Sequence, residues 1–197
     1  MAKTTTLKAV NTIISNIGQA PVNSLETGNP LVEMAELILD EISRAVQSEG
    51  WIFNTEFSYP FANDSNNEIL IGSDVLSLDT PPNSKIQATI RKGKLYDRVE
   101  HTSTFTEAQK LDVVWLMDFD DLPEAFRNYI TIRAANVFAG RAVGSTEAVR
   151  FGEREEILAR ATALEYDTQQ GDYNVFSDRD NGTTYNSYRP IDSLVRS

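Results

Sequence analysis

A single histidine, His101, and the absence of cysteine narrow the chemistry open to this 197-residue chain. Without cysteine there is no thiolate nucleophile, no zinc-thiolate site and no disulfide framework, a usage that suits folding in a reducing cytoplasm. His101 would have to be the base of any nucleophilic triad. It lies in Glu-His-Thr-Ser-Thr, and no Gly-x-Ser-x-Gly elbow accompanies it, so it reads as a solvated loop residue. Asp118, Asp120 and Asp121 are clustered carboxylates of the kind hard cations favour, but helix capping accounts for two of them. Gly140 to Ser145, GRAVGS, lacks the lysine of a phosphate loop and joins helix to helix rather than strand to helix. Asp178 to Gly182 brings its glycine one position early for a calcium loop, and an Asn-Gly turn explains it better. No catalytic, cofactor-binding or metal-binding residue is therefore assigned. A carboxylate pair for carbohydrate hydrolysis stays open as an alternative, although no spacing singles one out.

Charge points the same way. The net charge is −11 and the acidic excess is spread along the chain, which argues against a binder that neutralises phosphates with Lys and Arg. One stretch departs from this: Lys85 to Arg98, KIQATIRKGKLYDR, sets five basic residues against Asp97 alone. Tyr96 is its one aromatic, too little for a base-stacking platform, so the stretch reads either as a plain solvated hairpin or, through Arg91, Lys92 and Lys94, as a docking site for an acidic protein partner. After Thr168 the chain is polar but spaces out Tyr173, Phe176, Tyr185 and Tyr188, which are expected to anchor an extended tail on another surface.

The elements that would position these residues follow from periodicity. Leu7, Val10, Ile13, Ile14 and Ile17 share a helical face that ends at Gly18. Asn29 and Pro30 open a second helix through Leu31, Met34, Ala35, Ile38, Ile42, Ala45 and Val46. From Trp51 the pattern turns to short strand candidates: the Trp51 to Phe61 run, 69–71, 75–78, 86–90, 95–99 and 113–117, with Lys92-Gly93 as a tight turn. Asp121 caps a third helix whose face is Phe126, Tyr129, Ile130, Ala134, Val137 and Phe138, with Arg127 and Asn128 outward. Gly144 stops it, and Ser145 caps a fourth helix with Ile157, Leu158, Ala161 and Leu164 as its apolar side. No window reaches the roughly 20 apolar residues of a membrane span, and the N-terminus lacks a signal-peptide core.

The expected fold is α+β: a discontinuous helical bundle, residues 1–50 with 120–168, an inserted small antiparallel β domain, 51–119, and an extended C-terminal tail, 169–197.

The motifs AVNTIISNIGQAPVNSLE, AVQSEGWIFNTE, DVLSLD, GKLYDR, DLPEAFRNYITIRAANVFAGRAVGSTE and EEILARATALEYDTQQGDYN, in this order, resemble the tail tubular protein A family of short-tailed podoviruses. That resemblance spans nearly the whole chain. It implies a structural virion protein without cofactor, assembled in the bacterial host cytoplasm. It further implies a twelve-subunit adaptor ring between the portal protein and the tail nozzle, helical part toward the portal and β part toward the nozzle, with double-stranded DNA passing as transient cargo. An adaptor or scaffold without ring symmetry is the other alternative to the hydrolase.

Overall fold

The computed structural model describes residues 3–81, 84, 86–142 and 146–171. The fold is α+β. Helix α1 spans Thr6–Ser15 and α2 spans Pro30–Gln47; five strands follow, β1 (Thr55–Phe61), β2 (Val75–Asp79), β3 (Ala88–Arg91), β4 (Lys94–Asp97) and β5 (Gln109–Trp115); α3 (Glu124–Ala142) and α4 (Thr146–Gln170) close the order.

The first two helices form where the spacing predicts. The Thr5 side chain accepts from the Lys8 amide and Asn29 accepts from the Leu31 amide, each satisfying a donor that the first helical turn leaves free. The buried face of α2 is rotated from the expected one: Val32 and Leu39 are inside, while Ala45 is exposed. The link between α1 and α2 is clamped by Asn11, which accepts from the Val22 amide at 2.7 Å and donates to the Val22 carbonyl at 2.8 Å.

Apolar burial falls into two clusters. One joins α1 and α2 to α3 and α4, with Ile13, Ile14, Ile38, Phe126, Ile130 and Phe138 inside and Trp51 at its border. Helices from both ends of the chain thus share one core. The other holds Phe61, Ile69, Ile71, Leu95, Phe105, Leu111 and Val113. Its main sheet has the order β1-β5-β2, antiparallel, and β3-β4 form a separate hairpin. Strand β5 lies in the centre and buries Leu111 and Val113 alternately, the period of two that one-sided burial requires.

Several expectations for the strands are corrected. Residues 69–71 make single bridges and backbone bonds to the Gly93–Leu95 stretch rather than a strand, the central strand runs 109–115 rather than 113–117, and 52–54 form a 3-10 turn. In the hairpin turn Lys92 and Gly93 both have positive φ, 53° and 71°, the geometry of the two-residue turns that match strand twist.

The third helix also differs at its start. Asp121 lies in a 3-10 turn, and the Pro123 carbonyl receives the Phe126 and Arg127 amides, so proline occupies the position where Asp121 was expected to cap. Arg127, expected outward, is 2% exposed. The fourth helix turns the opposite way from expectation: Ala159 and Ala163 are buried, whereas Ile157, Leu158, Ala161 and Leu164 face solvent. The helix–helix approach explains this, because the Gly152 backbone packs against the Asn136 side chain and the small Ala159 and Ala163 continue that close face, with Tyr166 reaching Phe126 farther along. The predicted stop at Gly144 and cap at Ser145 lie outside the described residues. Residues 169 and 170, assigned to the tail, still belong to α4.

Candidate assembly surfaces

Three polar clusters hold the described body together, and they account for the side chains that looked most chemical in the sequence. At the N-terminus, the Thr6 amide and hydroxyl donate to Asp120 Oδ1 at 2.8 and 3.1 Å, and the Thr4 amide donates to Glu124 Oε2 at 3.1 Å. Thr4 Oγ1 donates to Glu124 Oε1 at 2.5 Å. Beneath them Arg127 Nη1 donates to the carbonyls of Thr4 at 2.9 Å and Asp120 at 3.2 Å, while Nη2 lies 3.3 Å from Glu124. The bonds from Thr4, the hydroxyl first and then the amide, hold the Glu124 carboxyl below its ordinary range; Arg127 acts in the same direction and burial opposes it. Asp120 is thus committed to the chain's own N-terminus.

The second cluster joins the two apolar cores. Gln47, fully buried, donates to the Met117 carbonyl at 3.0 Å and accepts from the Met117 amide at 2.8 Å. Asn54 donates to the carbonyls of Gln47 and Trp115 at 3.0 and 2.8 Å and accepts from the Trp51 amide at 2.9 Å. Both connections between the cores pass here. Their backbone groups leave regular structure in a buried place and need side-chain partners, which Gln47 and Asn54 supply.

In the third cluster Arg160 grips Glu49 through two bonds of 3.0 and 2.8 Å and donates to the Tyr129 hydroxyl at 3.0 Å. These contacts raise the Arg160 pKa, the Glu49 bond most. Arg133 donates to the same hydroxyl at 3.1 Å, and Asn136 bonds Glu156 at 2.9 Å. Arg141, from the glycine-containing stretch, forms a two-bond pair with Glu41 at 2.7 and 2.9 Å, which lowers the Glu41 pKa.

The surfaces left over are those on which another protein could act. Arg91 is exposed and its guanidinium lies 3.9 Å above the Tyr96 ring. Lys92 is exposed at the turn, whereas Lys94 is half-buried and bonded to Glu68 at 2.5 Å. Arg91 and Lys92 therefore stand together at the hairpin tip, and Lys94 belongs in part to the fold. Lys85, Tyr173, Phe176, Tyr185 and Tyr188 lie outside the described residues. His101 occupies an exposed turn with φ of 57°. The α4 strip was missed as a surface: Ile157, Leu158 and Leu164 are 68%, 62% and 45% exposed. Its signal was present in the sequence, since α4 carries Ala159 and Ala163 on one side and Ile157, Leu158 and Leu164 on the other, so covering one side leaves the other exposed.

Among the described residues no helix is long and apolar enough to cross a membrane, and no three His, Asp or Glu side chains converge as a metal set. The sequence pattern of the family described as tail tubular protein matches residues 7–173. Tail tubular protein A of Klebsiella phage KP34 is 30% identical over 119 residues, 60% of this chain and 62% of that protein. The aligned stretch thus covers less than two thirds of the relative's length.

Proposed function

The chain belongs to the tail tubular protein family, and from that premise we propose that it is a structural protein of a short virion tail, the adaptor ring between portal and nozzle. The observation that carries this reading is the family match over residues 7–173, which takes in both apolar cores. We place the helical part, residues 1–50 with 120–168, toward the portal and the β part, 51–119, toward the nozzle. Twelve copies close the ring, and the C-terminal tail beyond α4 anchors on a neighbouring surface through its aromatics. Assembly takes place in the host cytoplasm.

The polar clusters support a structural role over a catalytic one. Asp120, Glu124, Glu49, Glu156 and Glu41 are spent on amides, hydroxyls and arginines of the chain itself, which leaves them poorly suited as an acid and base pair. A net charge of −11 per copy favours a channel along which DNA slides without adhering. The exposed Arg91 and Lys92 tip, on the β part, suits an acidic patch on the nozzle.

Phage grown without this chain should yield packaged heads that carry portals but no nozzle. Complete tails on such particles would remove the adaptor role.

A further inference from the structure

The α4 strip needs an occupant. Ile157, Ala161 and Leu164 recur at helical spacing on the side away from Ala159 and Ala163, and Leu158 widens the strip. Exposed aliphatics grouped in this way mark a contact surface, whereas singly scattered ones do not. The strip is rimmed by Glu153, Glu155 and Glu165, with Arg154 the one exposed base of α4 among the residues whose burial is described.

We propose that this strip is the seat of the C-terminal segment of an adjacent copy, with Tyr185 and Tyr188 lying over Leu164 and Ile157 and Arg189 against the glutamate rim. The inference rests on the ring reading above and adds its contact. Spacing is one support. Ile157 and Leu164 are seven residues apart on a helix, about 10 Å at 1.5 Å per residue. Tyr185 and Tyr188 are three apart, which in a polyproline-type chain brings them to the same side at about 9 Å. The residue before a proline is biased toward such an extended backbone, and Pro190 follows Arg189 in the sequence.

Length and charge are the others. Thirteen residues lie between Gly171, which follows the last residue of α4, and Tyr185. At 3.1 Å each they reach about 40 Å, several helix diameters. The segment from Tyr185 onward carries Arg189 and Arg196 against Asp192, complementary to the glutamate rim. Return onto its own helix would bring the Asp178-Arg179-Asp180 run, net acidic, back past the Glu165 and Asp167 end of α4. A segment arriving from a neighbour avoids that crossing.

The chain has no cysteine, so two introduced thiols are unique. Glu165→Cys and Asn186→Cys, combined in the full chain, are oxidised in the presence of the portal protein while particle mass is followed by light scattering. The expected result is a covalent ladder beyond the dimer, which neither single-cysteine variant can form, and its reduction several-fold by Tyr185→Ala with Tyr188→Ala. A large particle without a ladder would overturn this seat and leave the ring reading standing. A monomer closed on itself would place the segment on its own helix, and a band joined to the portal would place it there; either overturns the proposal. A mass that stays at that of one chain would overturn both the seat and the ring.

Discussion

The Trp51 indole meets the Phe126 ring edge-to-face, with centroids 4.8 Å apart, and its Nε1 donates to the Val46 carbonyl at 2.7 Å. One side chain thereby ties the end of α2, the entry to the sheet and the start of α3 into one core. Trp51→Ala should cost about 3–5 kcal/mol in urea unfolding, as large buried aromatics do. Trp51 is 5% exposed, so a hydrophilic quencher should barely reach its emission in a Trp115→Phe background. Full quenching there would contradict the packing.

The N-terminal clamp carries a pH dependence. The Glu124 pKa is lowered from 4.5 in the folded chain, so its stabilisation is complete above that value and is lost as pH falls through the lower folded one. Glu41 and Asp64 are lowered too, so the comparison must be differential. Glu124→Gln should flatten the acid limb of stability against pH and speed amide exchange at Thr4. An acid limb identical to that of the parent would show that the clamp contributes nothing there.

The close approach of α3 and α4 is tested at Gly152. A methyl group there would sit 1.8 Å from Asn136 Oδ1, in a side chain already bonded to Glu156. Gly152→Ala should destabilise by about 1–3 kcal/mol through overpacking, against a gain of about 1 kcal/mol in helix propensity. A rise in the urea midpoint would mean that the helices do not meet as described.

For the hairpin, reversing Arg91, Lys92 and Lys94 together should slow nozzle addition, most at low salt, while portal attachment persists. Lys94 also holds Glu68, so Arg91→Glu with Lys92→Glu separates docking from folding. Lost retention of double-stranded DNA on filters with unchanged nozzle assembly would assign the hairpin to DNA instead.

How far the sequence carried depended on whether burial had a single answer. In α1 and α3 one face holds the large apolar residues, and Ile13, Ile14, Phe126, Ile130 and Phe138 are inside as their spacing predicts. In α4 the large aliphatics form a clean stripe, but Gly152, Ala159 and Ala163 let the helix approach α3 more closely than Leu or Ile would allow. Periodicity reports where apolar residues lie and is silent on which side the chain itself covers. Arg127 was misplaced for a related reason: charge suggested solvent, whereas the carbonyls of Thr4 and Asp120, far apart in sequence, converge on its position. The alternation of Leu111, Val113 and Trp115 was readable, but the polar Gln109 and Lys110 before them disguised the start of β5.

The central claim is multi-copy assembly on a portal, and solution mass tests it most directly. Light scattering of the 22.0 kDa chain, alone and after mixing with the portal protein of the same phage, should give particles of many copies in at least the mixture, with ring symmetry in electron micrographs. A mass that remains that of a single chain in both samples, with the portal unaltered, would contradict the account.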